Sequence, residues 1–288
     1  MLKKIKEIIR QVLPPFIYKI LVIFSQEIGL TKKEESKYLY KPECIKIQKG
    51  ILKDRDIILD THDNNWQIDI INGTYDKFFF DYLNKLNFTG NIIFDIGAHI
   101  GYHSMAFASM VGDNGKVFSF EPNKSNIQRF QQNLDKNIDL KKIIKLNQIA
   151  LSDKSGFIDF WCSEEIDNGY SSGGFINGSS TPDSMDHYLI NGFKKEKVPT
   201  ITFDEFVKNS AINQINMIKI DVEGSEYAVL QGAIKSILKF KPILMMEIHS
   251  IKNMYDVFSL LTKNGYNLKL LDENQQDHRC FFVADSTK

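Results

Sequence analysis

From residue 91 onward, apolar runs of strand length alternate with stretches of helical periodicity. The apolar run over 91–96 is followed by a helical pattern over 102–110. Gly112-Asp-Asn-Gly115 turns the chain into a strand over 116–120. Residues 125–136 carry Ile127, Phe130 and Leu134 at helical spacing, and a third strand pattern covers 143–149. Strand–helix pairs recur at 216–220 with 226–238 and at 243–248 with 254–264. Two last strands, 267–271 and 279–283, flank a polar turn. This order predicts an α/β fold: a mostly parallel seven-stranded sheet, helices on both faces, and an antiparallel edge hairpin.

The first ninety residues follow another rhythm. Short alternating runs over 43–72 predict a small antiparallel hairpin system. A helix over 75–86 places Phe78, Phe79, Tyr82, Leu83 and Leu86 on one face. Residues 31–41 are charged and polar and are expected to be a linker. Residues 1–10 are basic, and 12–24 are apolar but broken by Pro14, Pro15 and Lys19. That run is too short for a spanning helix and lacks a cleavage site. Two expectations remain for residues 1–30: helices packed on the protein, or a basic amphipathic segment in peripheral contact with a membrane. The expected division is 1–42, a helical extension and linker; 43–89, a hairpin and helix lead-in; and 90–288, the main domain. Within the last, residues 163–199 are rich in Gly, Ser and Asn and read as a long loop, expected to serve as a lid or substrate loop beside the ligand crevice.

Composition narrows the function. Lys+Arg and Asp+Glu both number 36, so no basic excess points to nucleic acid. Cys44, Cys162 and Cys280 are far apart and form neither a disulfide framework nor a zinc pattern, which suits a cytoplasmic setting, with the inner membrane face as the alternative if residues 1–30 dock there.

The chemistry concentrates at strand ends. Asp95-Ile-Gly97-Ala98-His99-Ile-Gly101 closes the first strand and opens a helix, a place where backbone N–H groups and a dipole end can meet an anionic ligand group. The order departs from the G-x-G-x-x-G of dinucleotide sites. Glu121-Pro122 ends the second strand, where a carboxylate can accept from both hydroxyls of a ribose. Ribose without a pyrophosphate turn points to S-adenosylmethionine. Asp221 and Glu223 end the fourth strand, and Glu247 and His249 end the fifth on one face. In adjacent parallel strands Asp221, Glu247 and His249 are expected to converge. They then serve as a general base for a hydroxyl, with His249 or Asp221 the candidate, or as ligands of a divalent metal. His62, His103, His187 and His278 have no partner legible in the sequence, and His103 is expected on a helix surface.

Taken in order, Phe94-Asp-Ile-Gly-Ala-His-Ile-Gly-Tyr102, Phe120-Glu-Pro-Asn123, Ile149-Ala-Leu-Ser-Asp153, Ile201-Thr-Phe-Asp-Glu205, Ile218-Lys-Ile-Asp-Val-Glu-Gly-Ser-Glu226 and Met246-Glu-Ile-His249 resemble the FkbM family of S-adenosylmethionine-dependent methyltransferases. The resemblance covers roughly residues 70 to 285. It implies a class I, Rossmann-like methyltransferase fold and O-methylation of sugar or polyketide-type hydroxyls, with a glycan or other hydroxylated small molecule as acceptor. It implies that Asp95, Gly97, Ala98, His99 and Gly101 contact the methionine part of the cofactor. Glu121 and Pro122 then lie at the ribose, Ala150, Leu151 and Ser152 flank the adenine, and Asp221 and Glu223 are the fourth-strand acids. Two positions depart from the family pattern: Asp76 stands where Glu is frequent, and His99 where Asn is usual.

Overall fold

The computed structural model describes residues 42–59, 65–163, 175–176, 193–274 and 279–286. The expectations for residues 1–41, for His62, His187 and His278, and for most of the 163–199 loop lie outside them. No helix among the described residues is long and apolar enough to cross a membrane.

The main sheet has seven strands. They are β3 (Ile92–Ile96), β4 (Lys116–Phe120), β5 (Ile144–Asn147), β10 (Met217–Ile220), β11 (Ile243–Ile248), β12 (Tyr266–Asn274) and β13 (Arg279–Ser286). Their order is β12-β13-β11-β10-β3-β4-β5. β5, β4, β3, β10 and β11 run parallel, and β13 and β12 close the edge antiparallel. The expected architecture is therefore the observed one. The order reverses between β3 and β10, and the crevice at such a point is where open α/β sheets bind ligands.

Both faces of the sheet are covered. Ile93, Val117, Met217 and Met245 point to one side, and Phe94, Phe118, Ile218 and Leu244 to the other. On the second side lie α6 (Phe203–Asn209), α7 (Glu226–Phe240) and α8 (Ile251–Lys263). On the first lie α3 (Tyr102–Val111), α4 (Lys124–Lys136) and α5 (Ile138–Ile143). The lead-in joins that first core through Ile47, Leu52, Ile57, Ile70 and Leu83. Full burial of a side chain of this size stabilises by about 1.5–3 kcal/mol.

Three local expectations change. The hairpin pattern over 43–72 holds only for β1 (Glu43–Lys46) and β2 (Asp56–Leu59), because α1 (Asn65–Asn72) is helical. Trp66, Ile68 and Ile70 alternate like a strand, yet Ile68 is exposed while Gln67 is buried, so the helical period prevails. α2 (Lys77–Leu83) is shorter than the expected helix over 75–86. The segment 163–199 is not a loop throughout. β7 (Gly156–Ser163) pairs antiparallel with β9 (Phe193–Ile201), and β8 (Phe175–Ile176) pairs with β7. β9 also takes the short strand β6 (Ala150–Leu151) in parallel.

The lead-in is fastened to the main domain by polar side chains of α4. Asn133 Oδ1 accepts from the Ile58 N–H at 2.8 Å, and Arg129 donates to the Ile58 carbonyl at 3.1 Å. Asn133 Nδ2 also donates to the Ile100 carbonyl at 2.9 Å, inside the turn that follows β3. One buried amide thus holds both the edge of β2 and that turn. Asn133→Ala leaves both backbone groups without a partner, and is expected to lower the unfolding free energy in urea by about 2–4 kcal/mol.

Candidate active site

The turn after β3 is shaped by two backbone requirements. Gly97 has φ +81°, and a Cβ there would lie 1.8 Å from the Asp221 carbonyl oxygen at the end of β10. Gly101 has φ +90°, and a Cβ would enter the Phe130 ring. His99 adopts φ +49°, the left-handed conformation in which Asn, Asp and His are enriched. That shared tolerance accounts for histidine standing where asparagine is usual.

The turn amides do not project freely into the crevice, as a bare helix start would. Gly97 and Ala98 both donate to the Phe120 carbonyl at 3.0 Å, and His99 donates to Glu121 Oε2 at 2.9 Å. The end of β4 therefore braces the turn. Glu121 Oε1 accepts in addition from the Asn123 N–H at 2.9 Å and from Asn126 Nδ2 at 3.2 Å. Burial still outweighs these three donors and lifts the Glu121 carboxyl to about 7. The carboxylate retains acceptor capacity on Oε2, which takes one protein donor where Oε1 takes two.

Lys219 lies beneath the turn on β10, 2% exposed. Its ammonium donates to the Gly97 carbonyl at 3.0 Å and faces Asp95 at 3.4 Å and Asp221 at 3.3 Å. Burial opposes the charge, but Asp221 and Asp95 prevail and hold Lys219 above the ordinary lysine range. Asp95 also accepts from Ser104 Oγ, which meets Ser119 Oγ at 2.8 Å. It is fully buried behind the turn and is not part of the cleft wall.

At the ends of β10 and β11 the expected convergence occurs. Nε2 of His249 is 3.4 Å from Glu247, 3.4 Å from Glu223 and 3.7 Å from Asp221. Its Nδ1 meets Glu226 Oε1 at 2.9 Å. Glu226, at the start of α7, is fully buried and also accepts from the Gly224 N–H at 2.9 Å and from Asn253 Nδ2. Burial disfavours the imidazolium, yet Glu223 and Glu247 hold His249 well above the usual histidine range. Burial, reinforced by Asp221, raises Glu247 to about 7. The Lys219 charge outweighs burial at Asp221 and keeps its carboxyl low.

One cleft runs past the turn and these strand ends. Gly97, Ala98, His99, Glu121, Pro122, Ala150, Leu151, Asp221, Glu223 and Glu247 line it. Asp95, Gly101, Ser152 and His249 stand behind that lining: Gly101 opens α3 against Phe130, and the Ser152 carbonyl packs on Gly232. His249 reaches the cleft only through the carboxylates in front of it.

The defining pattern of the methyltransferase FkbM domain matches residues 95–268. The chain belongs to the FkbM methyltransferase family. It is an S-adenosylmethionine-dependent methyltransferase. Among curated relatives, the hexuronic acid methyltransferase AglP of Haloferax volcanii is 29% identical over 187 residues, 65% of this chain and 68% of that protein. The 31-O-demethyl-FK506 methyltransferase FkbM of Streptomyces tacrolimicus is 23% identical over 195 residues, 62% of this chain and 74% of that one. Among solved structures, the methyltransferase FkbM of Methylobacillus flagellatus matches with a TM-score of 0.49 at 18% identity, over 70% of this chain and 45% of that chain.

The cleft fits the family's cofactor in its chemistry. The Glu121 carboxylate, which its protein donors leave under-compensated, offers an acceptor for a ribose hydroxyl. Ile149, Ala150, Leu151 and Phe160 supply an apolar wall of the kind a planar adenine needs. Several lining residues have no expectation attached to them in the sequence. Trp66 and Tyr75 come from the lead-in, which has no acid–base pattern to announce it. His103 is not on a helix surface: it is 8% exposed, lines the cleft, and meets Asp76 at 3.1 Å. Lys219 and Glu226 both stand inside the family motif. A lysine in a continuous apolar strand and a carboxylate that opens a helix were the signals available for them.

Because burial raises Glu121, the fold loses stability as pH rises from the ordinary glutamate range to about 7 and no further above it, and donors from a bound ribose favour the ionised form and relieve that cost. Affinity for S-adenosylhomocysteine is therefore expected to rise with pH. Calorimetry should give binding about tenfold weaker at pH 6 than at pH 8, and Glu121→Gln should flatten that dependence.

Proposed function

We propose that this protein transfers a methyl group from S-adenosylmethionine to a hydroxyl of a sugar or glycan. The observation that carries the proposal is the position of Glu247, a buried carboxylate lifted to about 7, on the wall of the same cleft as the Gly97–His99 turn and Glu121. The hexuronic acid named for the Haloferax volcanii relative supports a sugar acceptor. In this proposal Gly97, Ala98 and His99 border the methionine part of the cofactor, and Asp95 and Gly101 act by holding the turn. Glu121 and Pro122 border the ribose, and Ala150 and Leu151 the adenine, with Ser152 behind them.

S-adenosylmethionine supplies the methyl group on a sulfonium, whose C–S bond breaks with its electron pair kept by sulfur as the new C–O bond forms. The chain's own residues deal with the acceptor proton. A hydroxyl is a poor nucleophile until that proton leaves, and a base near the working pH suits the transfer. Glu247 faces the cleft and takes the proton; His249 stands behind it and shares the charge. Glu226 fixes the ring by accepting at Nδ1, so the Nε2 side stays turned to Glu247, Glu223 and Asp221. This moves the expected base from His249 or Asp221 to Glu247 in front of the ring, with Asp221 kept ionised beside Lys219.

One observation favours a second reading of the same groups. The Nε2 separations of 3.4, 3.4 and 3.7 Å exceed the usual N–H···O length of about 2.9 Å. Asp221, Glu247 and His249 each turn a ligand atom to one point, within 4.8 Å of one another. A histidine whose other nitrogen donates to a carboxylate is the usual metal-ligating arrangement. Under this reading those three residues hold a divalent cation, which would polarise the acceptor hydroxyl.

Glu247→Gln is expected to lower turnover by about 10²–10⁴-fold while the affinity for S-adenosylhomocysteine changes by less than about twofold; full activity in that variant removes Glu247 from the chemistry. Calorimetric titration with magnesium or manganese chloride separates the two readings. Binding that Glu247→Gln and His249→Ala both abolish supports the cation, and absence of binding with activity retained in chelator rejects it.

A further inference from the structure

The charge of the cleft constrains the acceptor. Behind and along its β10–β11 side, Asp95, Asp221, Glu223, Glu226 and Glu247 surround two cationic side chains, Lys219 and His249. Lys219 is committed to Asp95, Asp221 and the Gly97 carbonyl, and His249 is flanked by carboxylates on both ring nitrogens. Carboxylates thus outnumber cations among the described residues of this region. The sulfonium and ammonium of the cofactor, set against its own carboxylate, offset one negative charge and leave the excess in place. Glu223 is the most open of the lining acids, with its side chain 32% exposed.

Aromatic rings line the same cleft, and Tyr75 lies within the field of Asp221, Glu223 and Glu247. Trp66 and Tyr75 both line the cleft, with ring centroids 5.9 Å apart, and Trp66 stands 5.7 Å from the His99 ring. Tyr75 is 5.8 Å from the His103 ring. Aromatic faces accept the C–H surface of a sugar ring and attract cations, while they offer an anion nothing. Carboxylates beside such a wall repel a carboxylate on the ligand and bind an ammonium.

We propose that the acceptor end of this cleft selects a sugar that carries an ammonium group and rejects one that carries a carboxylate. This inference rests on the sugar acceptor proposed above and narrows its class. Glu223 contacts the amino substituent, and Trp66 and Tyr75 pack on the ring.

The test is binding to protein saturated with S-adenosylhomocysteine, followed by saturation-transfer NMR. The probes are the methyl glycosides of glucosamine, glucose and glucuronic acid. The expected order is glucosamine, then glucose, then glucuronic acid, with about a tenfold gap between the first and last. Glu223→Gln, checked for its thermal melt and for cofactor affinity, is expected to narrow that gap at least about threefold. Glucuronic acid binding as tightly as glucosamine overturns the inference and leaves the sugar proposal standing. A preference that vanishes when magnesium chloride is added assigns the carboxylates to a cation and also overturns it. Failure of all three sugars to bind overturns the sugar proposal itself, and this inference with it.

Discussion

A single buried ammonium organises the centre of this molecule. Lys219 stands on β10, one of the two strands at which the sheet order reverses, and ties together Asp95 of β3, Asp221 beyond β10 and the Gly97 carbonyl of the turn. An ion pair removed from water is a poor source of net stability, because desolvation consumes most of the attraction. Its effect here is geometric. It fixes the end of β3 against the end of β10, and the Gly97 backbone can then approach the Asp221 carbonyl so closely that no side chain fits between them. It also keeps Asp221 ionised beside a histidine and two other acids.

From that anchor two polar systems extend in opposite directions. One passes through Glu121, which holds the His99 amide and the entrance to α4 through Asn123 and Asn126. The other passes through His249 to Glu226, and from there to Asn253 on α8 and the Gly224 amide. Each links a strand end to a helix start, so the wall of the cleft is set by the core of the fold. The turn is braced by protein donors and acceptors, which lessens the ordering that opposes binding.

Most of the main domain was legible because its strands are buried on both faces and read as unbroken apolar runs. The acids and glycines at their ends stand out against those runs, which made Glu121, Asp221, Glu247 and His249 visible. Three kinds of feature escaped. α1 carries apolar residues that satisfy both a two-residue and a helical period, so pattern alone could not separate them. β7 and β9 flank a Gly/Ser/Asn-rich stretch that masks their pairing, and the capping pattern Thr202-x-x-Glu205 before α6 passed without notice, although the Thr202 hydroxyl accepts from the Glu205 N–H. Asp95 as the partner of Lys219 and Glu226 as the partner of His249 arise from contacts between elements distant in sequence, and no spacing along the chain encodes them.

The β7–β9 ladder has a consequence for the chain between its strands. Its last rung pairs Ser163 with Phe193, so the end of β7 lies beside the start of β9. Closing the ends of the stretch between them is already accomplished by the ladder, and lengthening such a stretch adds only a slowly growing entropic cost. Lengthening the chain between β7 and β9 therefore need not shift the paired strands themselves. The ladder fixes the spacing of the two strand ends whatever length of chain joins them.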